Sequence, residues 1–163
     1  MKRLPSFTRV VWAVDPFAED RDLQQLAAST LDALVGGHVI QVEPVSVIHQ
    51  PSPGDKIPRD EAAALAALRK MIATFGPKNA LAPVVITQDE MALTEAVKKL
   101  IGHASETGAH LIVVGTDAMK GSTGFLLGSF AEAVILQSDI PTLAVSPRTR
   151  ATTKITEIVF PTD

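Results

Sequence analysis

The chain has 163 residues, of which 46% are hydrophobic and 20% are charged, with a formal net charge of −3 and no cysteine. This composition predicts a single globular core and excludes a disordered chain, disulfide bonds, thiolate catalysis and cysteine-based zinc sites. Lysine and arginine are scattered through the sequence, so we expect no nucleic acid partner. No apolar run approaches the roughly 20 residues of a membrane span, so we expect a cytoplasmic protein without a membrane partner.

The first half of the sequence alternates strand and helix patterns. Val10–Val14 is a continuous apolar run, typical of a strand buried on both faces, and Asp15 closes it. Apolar residues at spacings of three and four predict a helix over 20–35, which ends before two glycines. The following segments are predicted as a strand at about 38–48, a proline-rich loop over 49–59 and a helix over 61–75.

The second half continues the alternation. Leu81–Ile86 is predicted as a strand, and Thr87 with Glu90 predicts a capping box that opens the next helix, which ends near Gly108. The remaining elements are a strand at Leu111–Val114, a glycine-rich loop over 115–128, a helix at about 129–138 and a strand at Pro141–Val145.

Strands that alternate with helices of this length pair in parallel, with the helices as crossovers. The expected fold is an open five-stranded parallel sheet with helices on both faces, of the Rossmann-like kind. Ligands of such sheets bind beyond the carboxyl ends of the strands, where the strand order reverses. The loops after the first and fourth strands are therefore the places to expect a site.

The end of the sequence repeats the pattern of its beginning. Residues 155–163 form a second apolar run that ends in an aspartate, as the first strand does at Asp15, and a polar stretch precedes them. We therefore expect one domain over 1–147, followed at 148–163 by a linker and the start of a second, truncated repeat.

The glycine-rich loop has the composition of an anion site. Its glycines permit tight backbone turns, and Gly128 and Ser129 stand where the next helix begins, so unpaired N–H groups and the positive end of the helix dipole face the loop. The order Lys120, Gly121, Ser122 does not match the Walker pattern, so a P-loop of that kind is excluded.

The loop resembles the nucleotide-loop motif of universal stress proteins, GxxGx9G[S/T], followed by a glutamate, a helix and a strand that opens with proline. Gly115, Gly128 and Ser129 fit the spacing, and Ala118 stands where the motif has its second glycine. The resemblance covers roughly 8–147 and implies the adenine nucleotide alpha-hydrolase-like variety of the fold.

The resemblance also implies how ATP, with or without Mg²⁺, would be held. Asp15, with Ala13 and Val14 beside it, would lie against the adenine and ribose. The backbone of Val42, at the end of the second strand, would meet the adenine edge. The positions implied around the ribose and phosphates are Gly115, Thr116, Ala118, Gly128, Ser129 and Phe130. A turn or helix cap remains the alternative role for Asp15.

The sequence favours a binding protein over an enzyme. None of the four histidines has metal-ligand spacing, no GxSxG elbow is present, and no catalytic set is found, so slow ATP hydrolysis is the most we expect. The first hypothesis is a regulatory stress-response protein that binds ATP or a related adenine nucleotide. The alternative is a module that binds no nucleotide and acts as a homodimer, paired through the last strand at Thr142–Val145, as the resemblance implies.

Overall fold

In a computed structural model, the described residues are 8–18, 21–35, 40–49, 60–89, 92–116 and 129–150. The predicted loop positions Ala118 and Gly128, and the predicted second repeat, lie outside these ranges. The elements are β1 (Arg9–Ala13), α1 (Arg21–Val35), β2 (Gln41–His49), α2 (Glu61–Phe75), β3 (Val84–Gln88), α3 (Leu93–Glu106), β4 (Leu111–Gly115), α4 (Ser129–Gln137) and β5 (Thr142–Val145).

The five strands form one parallel sheet in the order β3-β2-β1-β4-β5. The chain builds outward from β1 to β2 and β3, then crosses back to place β4 on the other side of β1. The strand order therefore reverses between β1 and β4, and a crevice is expected there at the carboxyl ends of the strands. The open five-stranded parallel sheet predicted from the sequence is confirmed.

Helices cover both faces of the sheet, because the strands carry apolar side chains on alternate residues toward each face. One core joins α1 and α2 to the face that carries Val10 and Trp12. The other core joins α3 and α4 to the face that carries Val11 and Ile112. Among the described helices, none has the length and apolar character needed to cross a bilayer.

The strand β2 extends beyond its neighbour β1 at the carboxyl edge. β1 ends at Ala13, which pairs with Val45, whereas β2 continues for four more residues to His49.

The chain leaves β1 through a turn in which the Ala18 N–H donates to the Asp15 carbonyl at 3.3 Å. Asp at the first turn position and Pro16 at the second are the residues that such a turn favours, and proline has no N–H to continue the ladder.

The strand β3 begins three residues later than the sequence predicts. Leu81 still contacts β2, because its N–H donates to the Val42 carbonyl at 2.7 Å. Pro83 has no N–H to give to a ladder, and regular pairing starts only at Val84, opposite Val45. The prediction of a strand over Leu81–Ile86 is therefore corrected to Val84–Gln88.

The predicted capping box in front of α3 is wrong. Thr87 lies within β3, opposite Ile48, and its carbonyl accepts a hydrogen bond from the Lys99 side chain at 2.8 Å. The helix instead begins after Ala92, whose side chain makes no capping hydrogen bond. Pairing with the long strand β2 keeps residues 87 and 88 extended, which outweighs the local capping preference.

A buried ionic cluster lies between the sheet and α3. Glu43, with a side chain only 8% exposed, accepts one hydrogen bond from Arg9 of β1 at 2.8 Å and pairs with Nε2 of His103 at 2.9 Å. A buried carboxylate needs such partners, because desolvation otherwise makes its charged form costly. The cluster joins β1, β2 and α3 on the side of the sheet away from the carboxyl edge.

Candidate functional site

A cavity of about 330 Å³ opens at the carboxyl ends of β1, β2 and β4, at the place where the strand order reverses. This volume falls at the lower end of the range of ligand pockets, about 300–1,000 Å³. Its described lining residues are Trp12, Ala13, Val14, Asp15, Ala18, Leu23, Gln24, Ala27, Val45, Ser46, Val47, Leu100, Val114, Gly115 and Phe130.

The walls of the cavity are mostly apolar. Trp12 and Leu23 line it on the α1 side of the sheet, and Leu100 and Phe130 line it on the other side. Asp15 carries the one charged side chain among the described lining residues. An apolar slot with a single carboxylate suits a flat ligand that also carries hydrogen-bond donors.

Asp15 is exposed and is held by its own turn. Its Oδ1 accepts the Phe17 N–H at 2.8 Å, and its carbonyl accepts hydrogen bonds from Ala18 and from the side-chain amide of Gln24. Aspartate commonly folds back on the backbone in this way. The turn role and the ligand role considered for Asp15 are compatible, because the carboxylate has a second oxygen and lines the cavity.

On the β4 side, the predicted residues divide into two groups. Gly115 ends β4, is exposed and lines the cavity. Thr116 is only 4% exposed and is not among the described residues that line the cavity. Its N–H and its hydroxyl both donate to the Val145 carbonyl, at 2.8 and 3.4 Å, and these bonds connect the end of β4 to β5. Ser129 and Phe130 open α4, and Phe130 lines the cavity.

The expected position of Val42 at the end of β2 is wrong. Val42 is the second residue of β2, near the amino end of the strand, and is fully buried. Both of its backbone groups are occupied: its N–H donates to Asn79 at 3.1 Å and its carbonyl accepts from Leu81 at 2.7 Å. Val42 is outside the described lining of the cavity, since β2 runs on for seven more residues to His49 and contributes Val45, Ser46 and Val47 to that lining.

Val47 takes the position at the cavity that Val42 was expected to have. The Val14 N–H donates to the Val45 carbonyl at 2.9 Å, so Val45 points its backbone groups at β1. Every second residue of a parallel strand faces the same neighbour, so the N–H and C=O of Val47 also point to the β1 side. The next donor in that ladder would come from Pro16, which has no N–H.

Val47 thus presents one donor and one acceptor of its backbone toward the cavity that it lines. The sequence carried a signal for this arrangement. A proline placed directly after an aspartate-terminated strand stops the ladder of that strand, while the apolar pattern of the neighbouring strand continues.

The described residues form no metal centre: they contain no group of three or more His, Asp and Glu side chains that could hold a metal ion. The amino end of α4 is the feature next to the cavity that favours negative charge. The first N–H groups of a helix lack intrahelical partners, and the helix dipole is positive at that end. The described site therefore combines an apolar slot, a carboxylate and a helix start.

Among the solved structures with the same fold are three structures of universal stress proteins. One from Archaeoglobus fulgidus is 20% identical, with a TM-score of 0.59 over 85% of this chain and 98% of that chain. A universal stress protein in complex with cAMP is 20% identical, with a TM-score of 0.57 over 86% of this chain and 98% of that chain. A universal stress protein from Archaeoglobus fulgidus in complex with dAMP is 20% identical, with a TM-score of 0.55 over 86% of this chain and 98% of that chain.

At these identities the solved structures establish the fold alone. No curated protein sequence matches the chain significantly. The family model described as the universal stress protein family matches residues 6–146, which include every described strand and helix. The chain therefore belongs to the universal stress protein family.

Proposed function

We propose that this protein is a cytoplasmic stress-response regulator that binds ATP or a related adenine nucleotide, with slow or no hydrolysis. The observation that carries the proposal is the cavity at the reversal of strand order, with its apolar walls, the carboxylate of Asp15 and the free backbone groups of Val47. The relatives that were solved in complex with cAMP and with dAMP support an adenine nucleotide as the ligand class.

The adenine base fits the β2 side of this cavity. Its N1 accepts a hydrogen bond and its neighbouring 6-amino group donates one, which is the complement of the N–H and C=O of a single extended residue such as Val47. Leu100 and Phe130 lie on the same side of the sheet and offer apolar contact for one face of the ring. A base seated here needs no polar side chain for its N1 edge.

The ribose and phosphates then extend toward β1 and β4. Asp15 has a carboxylate oxygen to accept a ribose hydroxyl, because only Oδ1 is used in the turn to Phe17. The start of α4, at Ser129 and Phe130, supplies N–H groups and a favourable dipole for phosphate. Contacts from Ala118 and Gly128 remain predictions from the motif.

Slow or absent turnover is part of the proposal. Asp15 is the one titratable side chain among the described lining residues, and its turn hydrogen bond constrains it. Hydrolysis of ATP needs a positioned water and groups that neutralise charge on the transferring phosphoryl. The described lining supplies neither a second acid or base nor a cation.

Isothermal titration calorimetry tests the proposal, with ATP in the presence and absence of Mg²⁺, together with thermal shift at millimolar nucleotide. We expect saturable binding that Asp15→Ala weakens about three- to tenfold, the value of one hydrogen bond. Asp89→Ala is the matched control, because Asp89 is also an exposed aspartate after a strand but lies outside the cavity. Wild-type protein that gives neither heat nor a thermal shift would contradict the proposal.

A second candidate function is a homodimeric interaction module that binds no nucleotide. It is favoured by the edge strand β5, which pairs with β4 on one side and has no strand on the other within the described sheet. Next to it, α4 exposes Ile135 by 41% and Leu136 by 77%. A bare strand edge beside exposed apolar side chains favours association with a second copy.

Light scattering at micromolar protein concentration tests the dimer. We expect a dimer that Leu136→Glu converts to a monomer, because a buried unpaired carboxylate is costly. Leu93→Glu serves as the control, since Leu93 is 43% exposed on α3, away from β5. A monomeric wild-type protein would rule out the homodimer, and nucleotide that copurifies in mass spectrometry would favour the first function over the second.

A further inference from the structure

Gln24, near the start of α1, lines the cavity with a half-buried side chain that has a hydrogen-bonding group to spare. Its amide Nε2 donates to the Asp15 carbonyl. A carbonyl oxygen only accepts hydrogen bonds, so this contact fixes which end of the amide faces the turn. The other end, Oε1 of Gln24, has no hydrogen-bond partner among the described residues.

The Asp15 carboxylate also has one oxygen to spare. Its Oδ1 accepts the Phe17 N–H at 2.8 Å, whereas Oδ2 has no partner in the part of the chain that the structure describes. The Gln24 side chain is bonded to the backbone of Asp15 itself, so the two spare oxygens belong to neighbouring side chains on the α1 side of the cavity. An ionised carboxylate and an amide oxygen both accept hydrogen bonds, so this pair suits a ligand group with two neighbouring donors.

We propose that Gln24 and Asp15 together bind the 2′- and 3′-hydroxyls of the ribose, and that Gln24 thereby makes the site selective for ribonucleotides over deoxyribonucleotides. This inference rests on the proposed function, which gives Asp15 one ribose hydroxyl and assigns no partner to the other. The two hydroxyls of a ribose are on adjacent carbon atoms and on the same face of the ring, so two neighbouring acceptors can bind both. A deoxyribose lacks one of these donors.

The other groups of an adenine nucleotide do not match the pair. The 6-amino group is a donor, but the proposed function places it at the carbonyl of Val47 on β2, whereas Gln24 and Asp15 line the cavity where β1 leads into α1. Phosphate oxygens are acceptors with negative charge, so the Asp15 carboxylate repels them. The ribose hydroxyls are therefore the donors that this pair of acceptors fits.

Isothermal titration calorimetry with ATP, 2′-dATP and 3′-dATP tests the contact on the wild-type protein. Each analogue lacks one hydroxyl and keeps the base and the phosphates. We expect each to bind about three- to tenfold more weakly than ATP, the value of one hydrogen bond.

The same titrations on Gln24→Met and Asp15→Ala assign the hydroxyls, because methionine keeps the length of the Gln24 side chain without its amide. We expect Gln24→Met to lose the discrimination against one analogue and Asp15→Ala to lose it against the other, as in a double-mutant cycle. If Gln24 only held the Asp15 turn, both variants would lose the discrimination against the same analogue. Gln25→Met is the control and should leave all three affinities unchanged, since Gln25 is exposed on α1 and outside the described lining.

The outcomes separate this inference from the proposed function. If wild-type protein binds no ATP, both are overturned. If ATP binds but either deoxy analogue binds equally well, or if Gln24→Met discriminates as the wild type does, only the assignment of Gln24 is overturned. The comparison of the three nucleotides on the wild-type protein can overturn the assignment even if Gln24→Met does not fold.

Discussion

Gly115 offers a stepwise test of the cavity between β4 and α1. A Cβ placed on Gly115 would lie 3.2 Å from Cδ2 and 3.5 Å from Cγ of Leu23. Ordinary carbon contacts lie at roughly 3.5–4.0 Å, so the end of the Leu23 side chain must move by a few tenths of an ångström to admit alanine. That end is flexible, and the replacement of glycine within a strand recovers about 0.5–1 kcal/mol of chain entropy.

We therefore expect Gly115→Ala to change the free energy of unfolding by less than about 1 kcal/mol and to narrow the cavity slightly. Gly115→Val adds two further methyl groups against Leu23, and crowding of this kind costs about 1–3 kcal/mol. The same methyl groups occupy space between β4 and α1, so we expect valine to weaken ATP binding about tenfold or more, equivalent to at least about 1.4 kcal/mol.

Urea denaturation and isothermal titration calorimetry measure both effects. Gly102→Ala is the control: a Cβ there has nothing within 4 Å, so alanine in α3 should raise the free energy of unfolding by about 1 kcal/mol and leave binding unchanged. A folded Gly115→Val protein that binds ATP as tightly as the wild type would refute the assignment of this cavity as the nucleotide site.

Three further predictions concern stability and are measured by urea denaturation. Asp60→Ala should cost about 1 kcal/mol, because its carboxylate caps α2 by accepting the Ala63 N–H at 2.8 Å; an unchanged midpoint would contradict this role. Gly108→Ala should cost about 1–2 kcal/mol, because Gly108 has a φ of +68°, and a stabilised variant would contradict the conformation. His103→Ala should cost about 1–3 kcal/mol by leaving Glu43 short of one partner, whereas a neutral result would mean that Arg9 alone satisfies the carboxylate.

The local parts of the fold could be predicted from the sequence. The helix over Glu61–Phe75 has its predicted bounds, and β4 and β5 each differ from their predicted bounds by one residue. The bounds of these elements depend on residues that are close together in the sequence, and the spacing of the apolar residues indicates them directly. The position of Asp15 at the reversal point followed from the same reasoning and the parallel topology.

The remaining features depend on register, which a local pattern does not contain. Val42 was placed at the wrong end of β2 because the overhang beyond Ala13 becomes visible only when β1 and β2 are paired. His103 received no role because its partner Glu43 is 60 residues away in the sequence. The pairing of His49 with Gln88 likewise depends on where β3 begins. Regular pairing begins at Val84, directly after Pro83, and not at Leu81, where the predicted strand begins.

The overhang of β2 has a consequence for mutagenesis. The groups that Val47 offers are peptide atoms, so an alanine substitution would remove side-chain packing but leave the backbone contact in place. Other side chains at position 47 would present the same N–H and C=O. The backbone contact can therefore be retained between relatives whose sequences differ at this position. Detecting it requires replacement of the amide itself, for example by an ester bond introduced through chemical synthesis.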